Sequence, residues 1–115
     1  MKKIKAIIEK ANDGGISVYS EDVNGAYGFG LTEQEAKDDF MSVLEEQAVD
    51  YVYDLSGFFE AFPFINASKF AKEIGMNESV MRKYKGKIVT ASDKQRALIQ
   101  ERYNNLLRRM EAVRF

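Results

Sequence analysis

The chain of 115 residues contains no cysteine, no histidine and no tryptophan, and it has one proline. Without cysteine and histidine it cannot form disulfides, thiolate nucleophiles, zinc fingers or any histidine-dependent catalytic triad. No apolar run approaches the roughly 18 residues that a membrane span requires, and the N-terminal apolar stretch is too short for a signal peptide. These absences predict a soluble, cytoplasmic protein with no metal centre and no membrane contact.

The residues that are present suffice for a folded core, because 45% of the chain is hydrophobic and 12% is aromatic. Its length is that of one ordinary domain or two very small ones. Charge is distributed unevenly. Residues 1–55 carry five lysines and twelve acidic residues, a net charge of −7, whereas residues 56–115 carry twelve basic and six acidic residues, a net charge of +6. Such asymmetry indicates two halves with different partners, the basic one suited to phosphate.

Enzyme functions find little support in the sequence. The aspartates that could form a nuclease metal centre are Asp13, Asp22, Asp38, Asp39 and Asp54. The first two fall in expected turns and loops, and the middle pair falls on the polar face of an expected helix. The glycines at 25, 28 and 30 lack the spacing of a nucleotide-binding loop. We therefore expect no catalytic residues and no cofactor.

The first half is predicted to form an α+β unit. Apolar and charged residues alternate over 4–9, Asn12–Gly15 is a turn sequence, and Ile16–Tyr19 alternates again. A short third strand is expected over Ala26–Gly30, where glycines allow another element to approach the backbone closely.

A change to helical periodicity follows. Thr32 and Glu35 form a capping-box pattern at the start of the expected helix. The apolar stripe of this helix is Ala36, Phe40, Val43, Leu44, Gln47 and Ala48. Tyr51–Tyr53 then returns to strand composition. Residues 1–55 are thus predicted to form a small three-to-four-stranded sheet with one packed helix.

Residues 56–65 contain four of the eight phenylalanines and the only proline. We interpret them as an aromatic connector. We favour a contribution to the core. The alternative is an interdomain or dimer contact, because linkers are seldom this aromatic.

Residues 66–115 are predicted to form an all-α helix-turn-helix domain. Asn66 or Ser68 can cap a first helix that Gly75 ends, and Asn77 can cap a second one that Gly86 ends. Seven positions match helix-turn-helix packing: Phe70, Ala71, Ile74, Gly75, Met76, Met81 and Tyr84. After Ser92 a long last helix has apolar residues at coiled-coil spacing, which fits packing on its own domain or a two-fold dimer equally well: Ile99, Tyr103, Leu106, Met110 and Val113.

The polar residues that this packing leaves free predict DNA binding. Base readers are expected on the second helix, because Arg, Asn and Ser side chains can reach base edges in the major groove. Flanking lysines suit phosphate neutralisation. The predicted DNA-binding residues are Lys69, Lys72, Asn77, Glu78, Ser79, Arg82, Lys83, Lys85 and Lys87.

Two motifs give the chain a family resemblance. Asp13–Tyr19, after an Ile/Lys-rich first strand, and Leu31–Ala36 resemble the opening and the helix start of HicB-type antitoxins. The second half resembles a lambda-repressor-type DNA-binding domain. The chain departs from the family at Glu21–Ala26, where members usually read P-D-L-P-G-C. The resemblance implies a degenerate, inactive RNase H-like domain that binds a small basic RNA-cleaving toxin, HicA, and a second domain that represses the operon.

The sequence thus favours a dimeric or larger DNA-binding antitoxin and autorepressor that binds a palindromic operator. Two alternatives stay open. One is a stand-alone helix-turn-helix regulator without a toxin, which senses a small ligand. The other is a protein-interaction module whose C-terminal helices only dimerise.

Overall fold

The computed structural model describes residues 3–44 and 48–115, and it has an α+β fold. In chain order its elements are β1 (Lys3–Lys10), β2 (Ile16–Tyr19), β3 (Tyr27–Gly30), α1 (Glu33–Met41), β4 (Ala48–Asp54), α2 (Ser56–Ala61), α3 (Ala67–Ile74), α4 (Glu78–Lys85) and α5 (Asp93–Glu111).

The strands form one mixed sheet in the order β3-β2-β1-β4. Strands β1, β2 and β3 form an antiparallel meander, and β4 returns parallel to β1 with Ile8 opposite Tyr53. The predicted alternation in β1 is confirmed, because Ile4, Ala6 and Ile8 are at most 2% exposed. The turn before β2 uses Gly14 at φ 91°, a conformation that favours glycine. Helix α1 crosses between β3 and β4 and covers the buried face of the sheet.

Helix α1 lies directly on the glycines of β3. A Cβ atom at Gly28 would stand 2.5 Å from the carbonyl oxygen of Ala36, and one at Gly30 would stand 2.7 Å from the Ala36 nitrogen. This close approach buries Ala36 and Phe40 completely. The Thr32 hydroxyl accepts a hydrogen bond from the Glu35 nitrogen, which confirms the predicted cap. The role expected of the β3 glycines is therefore confirmed.

The predicted length of α1 is wrong. The helix ends at Met41, where the Ser42 hydroxyl donates to the Asp39 carbonyl at 2.6 Å. Val43 is 59% exposed, and Ala48 belongs to β4, opposite Lys3 of β1. The apolar spacing would have allowed a longer helix, but pairing of residues 48–54 with a central strand satisfies more backbone groups. The predicted stripe position Gln47 lies outside the described residues.

The helical half follows its predicted caps. Side-chain oxygens of Asn66, Asn77 and Ser92 accept from the backbone nitrogens three residues ahead, at the starts of α3, α4 and α5. Gly75 ends α3 at φ 72°, and the Met76 nitrogen donates back to the Ala71 carbonyl at 2.8 Å. These contacts form the tight turn of the helix-turn-helix.

A short backbone contact joins the two halves. Tyr53 of β4 and Ala91, which precedes α5, exchange two hydrogen bonds of 2.8 Å each. The aromatic connector contributes to the core, since α2 places Phe59 at 5% exposure and packs Phe58 against Phe70 and Tyr103. The sheet and the helices therefore share one continuous core.

Only part of the apolar stripe predicted for α5 packs against the core. Ile99, Tyr103 and Leu106 pack against the core, whereas Met110 is 61% exposed. Val113 lies beyond the end of the helix at Glu111, so its assignment to the helical stripe is wrong. Packing on its own chain accounts for the first part of α5 only. Among the described helices, α5 included, none combines the length and apolar character needed to cross a membrane.

The contact between α1 and β3 yields a stability prediction. We expect Gly28→Ala to lower the free energy of unfolding by about 1–3 kcal/mol, because the new methyl group meets helix backbone that cannot rotate away. Gly86→Ala is the control, since φ there is −82° and the nearest atom would be 3.5 Å away. Urea denaturation measures both variants, and equal stability for the two would contradict the close approach.

Candidate nucleic-acid interface

Helix α4 turns one polar face to solvent. Met81 and Tyr84 are 2% and 5% exposed and pack α4 onto the core. Ser79, Arg82 and Lys83 lie on the opposite side of the helix and are all exposed. With Asn77 and Glu78 at the helix start, the base readers predicted from the sequence come together on one surface. This geometry suits insertion of a helix into the major groove of DNA.

Asn77 also caps the N-terminus of α4. Its side-chain oxygen accepts from the Val80 nitrogen at 2.9 Å and caps α4. The amide NH2 group is then the part of the side chain that can contact a base or a phosphate. Glu78, in the first turn, interacts favourably with the positive end of the helix dipole.

Arg82 is oriented by a residue that the sequence analysis named only as a cap. Its Nη1 donates to the Ser68 hydroxyl at 2.7 Å, a contact 14 positions apart in sequence. Ser68 therefore lies beside the candidate recognition face, in the first turn of α3. No local pattern identifies this pair, because its members meet only when α3 and α4 cross.

Three of the predicted phosphate contacts, Lys69, Lys72 and Lys85, and the predicted base reader Lys83 carry available charge. They are exposed, and none forms an ion pair with another described residue. Exposed lysines that pair with no described carboxylate, placed around a polar helix face, are the kind of group that neutralises DNA phosphates.

Lys87 differs from these lysines. It leaves α4 at φ 59°, and its Nζ lies 3.7 Å from Glu9 Oε1 and 3.6 Å from Glu60 Oε1. The charges of Glu9, Asp54 and Glu60 raise its pKa. A phosphate would compete with these carboxylates, so we leave Lys87 out of the DNA contacts argued below.

Two arginines of α5 stabilise the helix-turn-helix, and the sequence did not predict these contacts. Arg102 Nη1 donates to the carbonyls of Gly75 at 2.7 Å and Ile74 at 3.2 Å, which satisfies the C-terminal end of α3. Arg109 pairs with Glu73 at 2.8 Å. The basic character of α5 is therefore partly structural. A count of charges along the sequence could not separate these arginines from DNA contacts.

The sheet half offers a surface of another kind. On the face opposite α1, Tyr27 and Phe29 of β3 are 54% and 50% exposed. The outer edge of β3 is occupied by α1 carboxylates, since the Phe29 nitrogen donates to Asp39 Oδ2 at 2.8 Å. A partner here would meet aromatic side chains bordered by acidic groups, with the Phe29 nitrogen already bonded.

Substitutions at Asn77 can separate its role as a helix cap from its proposed contact with DNA. Asn77→Ala should lower the free energy of unfolding by about 1 kcal/mol, because the Val80 nitrogen loses its acceptor. Asn77→Asp retains a capping oxygen and should retain stability, yet it places a negative charge where DNA would bind. Thermal unfolding together with DNA titration tests both variants. A stable Asn77→Ala protein would show that the cap contributes nothing.

Comparison with known protein families, curated proteins and solved structures finds no match to this chain. The resemblance to HicB-type antitoxins therefore stays a prediction from sequence motifs.

Proposed function

We propose that this chain is a DNA-binding antitoxin that represses its own operon through α3 and α4. Its acidic sheet half would neutralise a small basic RNA-cleaving toxin of the HicA type. The observation that carries the proposal is the exposed face of α4. Ser79, Arg82 and Lys83 lie there away from the core, beside lysines that form no ion pair with the described residues.

Each group on this face has a distinct role in the proposed complex. Arg82 has the geometry to bond guanine in bidentate fashion, and its contact with Ser68 restricts its conformations before DNA arrives. Lys83, Asn77 and Ser79 flank it as further base or backbone contacts. Lys69, Lys72 and Lys85 would neutralise phosphates on either side of the groove.

The distribution of charge separates the two partners. The first 55 residues carry a net charge of −7, so nucleic acid is repelled from the sheet half while a basic protein is attracted. The same charge argues against an RNA-binding role for the exposed Tyr27 and Phe29. A toxin that itself binds RNA would present the complementary positive surface.

A two-fold dimer agrees with this role. Met110, near the end of α5, is 61% exposed, so the helix retains apolar surface that the rest of the described chain does not cover. Val113, just beyond the helix, is 60% exposed. Two copies joined there would present two α4 helices to a palindromic operator. Half-sites are then expected about one helical turn of DNA apart.

The DNA-binding part is tested by a double substitution. Arg82→Ala with Lys83→Ala should abolish specific binding to DNA upstream of this protein's own gene, with the thermal midpoint nearly unchanged, because both side chains are exposed. The wild type should prefer that DNA over scrambled DNA by roughly a thousandfold. Fluorescence anisotropy at several salt concentrations gives both quantities.

The matched control removes two lysines from the sheet half. Lys3→Ala with Lys5→Ala lowers the net charge of the chain by the same amount at exposed positions of β1. It should leave operator affinity within about threefold. Removal of Lys69 and Lys72 should reduce the salt dependence of log K by about 2 while keeping the preference for the operator. A folded Arg82/Lys83 double variant with wild-type affinity would refute the assignment.

The antitoxin part is tested with the protein encoded beside this chain's gene. If that protein is small and basic, we expect the two to co-purify, the complex to weaken with salt, and the chain to inhibit cleavage of RNA by its partner. The Arg82/Lys83 double variant should inhibit cleavage as well as the wild type does. DNA binding without any basic partner would instead favour the stand-alone regulator. A chain that neither prefers operator DNA nor responds to salt would favour the dimerisation module.

A further inference from the structure

A pocket lies where the sheet meets the helical half. Its walls come from the ends of β1 and β4, from α2, from both helices of the helix-turn-helix and from α5. Tyr53, Phe59, Phe70 and Met81, all at most 7% exposed, contribute the deepest side chains. The volume is about 190 Å³. Apolar protein cavities of about 150 Å³ stay dry and accept a molecule the size of benzene.

Backbone contacts keep this pocket from closing. Gly57 at the start of α2 lies so close to β1 that a Cβ atom there would stand 2.5 Å from the Lys10 carbonyl oxygen. On another wall, the two hydrogen bonds between Tyr53 and Ala91 fix the start of α5 against β4. These contacts fix the backbone of both walls, so the spacing between the walls is set by the fold.

The rings that line the pocket favour an aromatic occupant. Phe58 meets Phe70 and Tyr103 with ring centroids 4.9 and 5.3 Å apart, in tilted and edge-on arrangements. A planar ring placed beside them can continue this pattern of offset and edge contacts. The aliphatic wall, Ile99 and Met81, supplies the remaining apolar surface.

The charged groups at the rim indicate that the occupant is neutral. Lys10 lies 3.7 Å from Glu33, and Arg96 lies 2.9 Å from Asp93, so each cation of the rim already faces a carboxylate. Asp54, a third charged residue of the lining, accepts from the Ser56 nitrogen at 2.9 Å. An anionic ligand would have to displace one of these partners. A neutral ring needs no such exchange.

We propose that this pocket binds a small neutral aromatic molecule of one or two fused rings. The ligand would bridge β4 and the helix-turn-helix, because Tyr53 on one wall and Phe70 and Met81 on the other contact it together. Its binding would therefore change the affinity of α4 for DNA. This last consequence, unlike the binding itself, rests on the function proposed above.

Indole is a suitable probe because the chain has no tryptophan, so the fluorescence of added indole is read without protein indole background. We expect a saturable change in indole emission with the wild-type protein. Benzene should compete with indole, whereas benzoate should compete at least tenfold less well because it carries a charge.

The test variants act at the mouth of the pocket and inside it. Gln100 is an exposed residue of the lining, and Gln100→Phe should weaken indole binding at least tenfold by covering the mouth. Asn105→Phe is the matched control. Asn105 is also an exposed amide of α5 that makes one side-chain hydrogen bond, but it does not line the pocket. Ile99→Phe fills the interior and should give the same loss as Gln100→Phe.

Each outcome bears on one proposal. Absence of saturable indole binding to the folded wild type, or equal binding by the Gln100 and Asn105 variants, overturns the ligand site. Indole binding without any operator binding supports the site and refutes the proposed DNA function. Where both ligands bind, unchanged operator affinity in saturating indole overturns the coupling between the two sites.

Discussion

Tyr53 makes the contacts on which the arrangement of the sheet and the helices depends. Its backbone exchanges two hydrogen bonds with Ala91, its hydroxyl donates to Glu33 of α1, and Arg96 of α5 lies over its ring at 4.9 Å. Burial, together with the hydrogen bond to Glu33, raises the pKa of Tyr53, so the hydroxyl remains a donor at every physiological pH. One residue of an edge strand thereby fixes α1 and α5 relative to the sheet.

The partner carboxylate is held in its charged form by the same arrangement. Burial opposes ionisation of Glu33, but the hydrogen bonds from Tyr53 and Lys37 outweigh it and lower the pKa of Glu33. A lowered pKa adds stability above the ordinary pKa of a glutamate, and that stability is lost as pH falls through the folded-state value. The contact that fixes α1 to β4 is therefore weakest in acid, where Glu33 becomes neutral.

Local signals predicted much of this molecule and long-range contacts explain the rest. The caps at Thr32, Asn77 and Ser92 and the left-handed Gly75 follow from residues a few positions apart, so the sequence alone located them. The end of α1 at Met41 depended on pairing between β4 and β1, which apolar spacing cannot reveal. The roles of Arg102, Lys87 and Ser68 likewise depend on partners that are distant in sequence. Arg102 and Ser68 meet their partners where helices cross, and Lys87 meets Glu9 where the two halves approach each other.

Helix α5 contacts both the sheet and the turn between α3 and α4. Its first turn is held at the sheet by Arg96 over Tyr53, and two turns further along Arg102 bonds the carbonyls of Ile74 and Gly75. A helix transmits displacement along its axis because its backbone hydrogen bonds resist compression. A ligand that shifts α5 at Tyr53 would therefore reach the turn between α3 and α4 through Arg102. If the proposed DNA and ligand sites are coupled in this way, linkage requires that DNA bound at α4 alter the affinity of the pocket for its ligand by the same factor.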